Sequence, residues 1–177
     1  MAIVGTLTYE WSASLPLYAK FVLNGGAGTY ALITVCMSAG MLLGGFMNAR
    51  TKNASERRAI YSALLLGLGG IIAAVATNII VIIFSFVLMG IFLLSFANLT
   101  QSILQINTAP EYRGRVVSMW SVGFQGSTAV GGPLIGWIGE QFGARWALGV
   151  GGIAAIIAGL VGFMLEKRAL RIAEKKK

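Results

Sequence analysis

Between Ala59 and Leu104 the chain carries no charged side chain. As one helix this stretch would run about 70 Å at 1.5 Å per residue, more than twice the ~30 Å hydrocarbon core of a bilayer. It therefore has to turn. Thr77-Asn78 is the polar pair near its middle, and Asn tolerates the left-handed backbone that ends helices, so the turn is expected there. The result is two consecutive apolar helices, each long enough to span a membrane.

The rest of the chain agrees with that solvent. It is 56% hydrophobic and 11% charged, whereas a soluble domain carries about 25% charged residues. Such a chain cannot cover itself with a polar surface. Six apolar segments are read: Ala2–Lys20, Thr29–Met47, Ala59–Thr77, Ile79–Ile103, Val116–Ile138 and Ala147–Leu165. The expected fold is an all-α membrane protein with six transmembrane helices. Residues 1–166 form the membrane domain and 167–177 a basic tail.

Orientation follows from Lys and Arg. With both termini on one side, that side holds Arg50, Lys52, Arg57 and Arg58, then Arg113 and Arg115, then six basic residues of the tail. Twelve of the fourteen basic residues lie there, and Lys20 and Arg145 lie opposite. A bias of this kind marks the cytoplasmic face. Topology and anionic lipid headgroups account for the net charge of +8, and nucleic acid is not an expected partner. The expected location is the plasma membrane, the inner membrane of a bacterium. Met1 opens almost directly into an apolar segment with no basic lead-in, unlike a signal peptide. The chain is therefore expected to be the end of a longer protein.

Histidine is absent and Cys36 is the sole cysteine. An internal disulfide, a His/Cys zinc site and a Ser-His-Asp or Cys-His apparatus are excluded, and no enzyme, metal or cofactor is expected. Cys36, in an apolar segment, reads as a small buried residue. No Gly-Lys-Ser/Thr phosphate loop is present, so the chain carries no ATP-driven motor of that kind. The sequons at Asn53 and Asn98 fall on the cytoplasmic side and inside a span, and are discounted.

Four groups of residues carry candidate roles. Glu10 lies ten residues, about 15 Å, from Lys20 at the outer end of its span, which places it near the midplane. With Thr6 and Ser14 it makes a polar stripe. It is either a proton- or cation-carrying carboxylate or a protonated tie between helices. On the fourth span Ser95, Asn98, Gln101, Ser102 and Gln105 share an arc of about 120°. That face either lines a pathway, with Asn98, Gln101 and Gln105 as substrate contacts, or bonds to a neighbouring helix. Gly40 and Gly44, and Gly132 and Gly136, are small-xxx-small pairs that favour close helix contact. Gly126 and Gly131-Gly132-Pro133 sit inside the fifth span, where proline frees a carbonyl and the glycines bend, so they form either a hinge or a packing face. The loops carry Arg50, Arg57 and Arg58, and Pro110-Glu111-Tyr112-Arg113-Gly114-Arg115.

These residues resemble the C-terminal half of a major facilitator superfamily transporter. The similarity is greatest to the bacterial efflux group of enterobactin-type exporters and transmembrane secretion effectors. Its most specific part runs from Gln105 through Pro110–Val116 to Gly126-Ser127 and Gly132-Pro133-Leu134-Ile135-Gly136. This is similar to the family's loop before the eleventh helix and to that helix. Leu15-Pro16-Leu17, Asn24–Gly28 and Tyr30 resemble the seventh-to-eighth helix region. Gly45, Met47 and Arg50 resemble the family's Gly-x-Leu-Ala-Asp-Arg signature, but Ala49 stands where the acid belongs, so only the basic half of that loop is kept. The glycine-proline run resembles the antiporter signature of the fifth helix, here displaced to the eleventh.

The resemblance implies one half of a twelve-helix fold, with substrate bound between two six-helix halves. It implies a proton-coupled exporter of small, partly apolar molecules, partnered by membrane lipids and an N-terminal six-helix half. The alternative is a truncated or split membrane module that does not transport and acts as a scaffold or assembly partner.

Overall fold

A computed structural model describes residues 11–50 and 54–174, with side chains at 14–50, 54–168 and 171. Helix is the regular element throughout these residues. The order is α1 Trp11–Phe21, α2 Ala27–Ala49, α3 Glu56–Val75, α4 Ile79–Ile106, a 3-10 turn at Pro110–Tyr112, α5 Arg113–Phe142 and α6 Ala144–Glu174. Each predicted apolar segment falls on one of these helices, the first from Trp11 onward. Four of them are long and apolar enough to cross a membrane: α2, α3, α4 and residues Ala144–Arg168 of α6. The protein is an all-α membrane protein.

The turn inside the uncharged stretch is at the expected place, for a different reason. Asn78 does not end α3 in a left-handed conformation. It sits extended at φ −85° and ψ 129° as the N-cap of α4, and its side-chain oxygen accepts the Ile80 N–H at 2.8 Å. Capping satisfies one of the amide groups that a helix start leaves without a partner. Between α5 and α6 the chain reverses at Gly143, whose φ of +95° suits glycine. The charged hinge is shorter than a loop reading implies: α5 begins at Arg113, so Arg113 and Arg115 lie in its first turn. At the other end, α6 runs past Lys167 to Glu174, and residue 166 does not mark the end of a helix.

Alternation of helix direction gives the bundle two ends. One carries Arg50, Arg57, Arg58, Arg113 and Arg115, and is called the basic end below. Helix α4 packs on α2 and α3, and α3 packs on α6, while α5 lies at the side against α6, α1 and α4. The core is built from Tyr18, Ile33, Leu66, Phe86, Met89 and Leu148, all fully buried. Outside it, large apolar side chains such as Phe46, Val75, Ile80, Trp137 and Trp146 are exposed along the helices. Contiguous apolar surface on that scale needs lipid or a protein partner to cover it.

Glycine sets the closest helix contacts. A Cβ at Gly40 would collide with the Val87 carbonyl, one at Gly44 with the Ile91 carbonyl, and one at Gly90 with the Met37 carbonyl. Val87, Ile91 and Leu94 meet Gly40, Gly44 and Gly45 in that order, so α2 and α4 are parallel neighbours. The opposite seam joins α3 and α6, where Gly67 and Gly152 each face the other's backbone.

Candidate functional site

Polarity inside an apolar bundle gathers at the basic end of α4. Ser95 is buried, and its hydroxyl donates to the Ile91 carbonyl at 2.7 Å, one turn back on the same helix. Thr100 does the same to Phe96. Their polarity is thus satisfied locally. Asn98 and Gln101 are half-buried and Gln105 is exposed, so the face opens toward the helix end. Val87, Ile91, Leu94, Asn98, Gln101 and Gln105 follow one another at three- and four-residue steps, which puts them on one face. The first three meet the α2 glycines Gly40, Gly44 and Gly45. The last three continue that seam beyond Ala49, where α2 ends.

Two crevices lie beside this face. The larger, about 450 Å³, runs between α3, α4 and α6 and is lined by Ala63, Phe96, Thr100 and Gly159, with Glu56 and Glu166 at its rim. The smaller, about 310 Å³, lies between α2, α3 and α4 and is lined by Asn48, Arg58, Tyr61, Ser62, Ser95 and Leu99 among others. Asn98, Gln101 and Gln105 line neither.

The basic side chains do not act as one cluster. Arg57 Nε donates to Glu166 at 2.6 Å and ties the start of α3 to α6. The pair is open to water on the Arg57 side, so its attraction is screened. Arg113 Nε donates to the Thr108 carbonyl at 3.2 Å and closes the turn before α5. Arg50 caps α2 through its backbone. Glu111 and Arg115 are exposed, and Arg58 borders the smaller crevice.

The remaining candidates divide by helix. Gly40 and Gly44 meet α4. Gly131 is buried and Gly132 half-buried in α5, whereas a Cβ at Gly126 or Gly136 would meet open space. Pro133 is exposed, and α5 continues through it as helix. Glu10 lies outside the described residues. Ser14, one turn further along its stripe, is buried.

Sequence reasoning missed Tyr18, Asn48 and Glu166. Tyr18 is fully buried, its hydroxyl donates to the Ala73 carbonyl at 2.6 Å, and its ring meets Phe86 edge-on at 5.6 Å. Nothing in its local pattern separates it from other apolar positions of the first span. Asn48 had a signal, since it is an amide within the last turn of an otherwise apolar helix. Its side-chain nitrogen is buried with no hydrogen-bond partner among the described residues.

A model of the Major Facilitator Superfamily matches residues 2–177. No curated protein matches. Among solved structures the chain is similar to a peptide transporter, POT, crystallised as a point mutant in complex with alafosfalin. The TM-score is 0.73 and the identity 17%, over 94% of this chain and 36% of that one. At that identity the likeness is one of fold. The chain thus spans little more than a third of that transporter's length.

Proposed function

Because this chain belongs to the Major Facilitator Superfamily, a family of transporters rather than enzymes, we propose that it is the C-terminal six-helix half of a secondary transporter. The cargo is a small, partly apolar molecule, exported in exchange for protons, across a bacterial inner membrane with the basic end in the cytoplasm.

One observation carries the need for a second half. Met119, Val122, Gly126, Val130, Pro133 and Trp137 follow one another at helical steps along α5, and every one is exposed. The four large side chains among them are 54% to 74% exposed. Lipid can cover Met, Val and Trp, but glycine and proline on the same stripe favour the close approach of another helix. An N-terminal six-helix half seated there supports alternating access by rocking of one half against the other.

Asn98 and Gln101 then contribute amide donors and acceptors where the seam beyond α2 opens, with Gln105 nearer the surface. Glu10 is the coupling carboxylate, because an ionisable group at the midplane is costly unless it works. The test is efflux of a fluorescent apolar substrate by the full-length protein in proteoliposomes under an imposed pH gradient. Glu10→Gln should abolish the response to the gradient while substrate still binds. An unchanged pH dependence would remove Glu10 from the mechanism.

A further inference from the structure

The smaller crevice differs from its neighbour in chemistry. The larger has two carboxylates at its rim. The smaller has none among its lining residues, and each of its polar groups can donate: the Arg58 guanidinium, the Asn48 amide and the hydroxyls of Tyr61, Ser62 and Ser95, the last already spent on the Ile91 carbonyl. Arg58 presents five N–H groups and no acceptor. Ser62 is buried within α3. Asn48 Nδ2 is withdrawn from solvent with no partner among the described residues. A buried donor left unmade is destabilising, so its place in a wall of the crevice points to an acceptor that arrives from outside. Met47, Phe92 and Leu99 complete the lining with apolar surface. The crevice lies where α2 ends and α3 begins, at the basic end. At about 310 Å³ it sits at the low end of small-ligand pockets, roughly 300–1,000 Å³.

We propose that this crevice is a phosphate-binding site, in which Arg58 grips the oxyanion, Asn48 and Ser62 donate to it from the walls, and the apolar lining receives the carbons it is esterified to. Arginine suits the task because its planar fork bonds two phosphate oxygens at once. The phosphate can belong to an anionic phospholipid or to a free phosphate compound in the aqueous phase.

Three probes separate these sources. The full-length protein, purified in a neutral maltoside, is given dioleoylphosphatidylglycerol, a phosphate-free galactosyl diacylglycerol, or inorganic phosphate. Bound lipid is counted by native mass spectrometry, and phosphate by its competition with the phospholipid. The expected result is retention of the phospholipid and not of the galactolipid. Arg58→Gln should weaken retention about tenfold or more, as loss of a charge-assisted hydrogen bond implies. Asn48→Asp, which keeps the side-chain size and replaces a donor with a negative acceptor, should also weaken it. Arg115→Gln, a basic residue at the same end but on α5, should leave it unchanged. Competition by millimolar phosphate identifies a site open to free anions, and its absence identifies a lipid site. Equal loss in Arg58→Gln and Arg115→Gln, retention of the galactolipid as well as the phospholipid, or no effect of either crevice variant would overturn the proposal.

Discussion

Tyr18 shows how one side chain joins three helices. It stands on α1, donates to a carbonyl of α3 and packs its ring on α4. Ala73 lies in the last turn of α3, where carbonyls have no amide four residues ahead to bond. The tyrosine hydroxyl supplies the missing donor inside an apolar core, where water cannot. Tyr18→Phe keeps the ring and leaves that carbonyl bare. We expect a loss of about 1 kcal/mol, read as a lower thermal midpoint in detergent. Tyr18→Leu should cost more, since it also removes the edge-on contact with Phe86. Asn78 works on the same scale: Asn78→Ala removes the cap and should cost roughly 0.5–2 kcal/mol, measured in the same way.

Between helices, glycine matters only where a backbone lies against it. Gly44 and Gly126 look alike in sequence, each a glycine in an apolar span. Gly44 faces the Ile91 carbonyl, whereas Gly126 faces open space. Gly44→Val should therefore force α2 and α4 apart and cost about 1–3 kcal/mol by overpacking. Gly126→Val should leave the fold's thermal stability unchanged and slow transport, if a second half rocks against α5. Equal destabilisation by the two would show that α5 packs as tightly as α2. The pairs Gly40/Gly44 and Gly132/Gly136 were both legible as spacing. Spacing cannot say which helix comes near, because any small-xxx-small face can be turned toward a neighbour, a partner or lipid. The polar face of α4 was legible for the same reason, as a periodicity within one helix. That Asn98 and Gln101 continue the α2 seam, while Ser95 and Thr100 bond to their own helix, depends on where α2 stops.

For the molecule as a whole, charge sets orientation and the bundle sets the ends. In a Cys36→Ala background, Gly26→Cys lies between α1 and α2, with space around it, and Arg115→Cys lies at the basic end. A membrane-impermeant maleimide should label the first in intact cells and the second only after permeabilisation, if the basic end is cytoplasmic. The reverse pattern would invert the topology. The sequence alone determined the solvent, the all-helical class and the place of the hidden turn. Those are properties of composition and of local period, and they hold whatever the helices touch. Only the tertiary structure decided that Tyr18 meets Ala73, that Arg57 meets Glu166 across 109 residues, and that Asn48 and Arg58 share one crevice. In lipid every apolar face is equally content to meet a neighbour or an acyl chain. The choice among pairings therefore rests on close backbone approach and buried donors, which appear only once the helices are assembled.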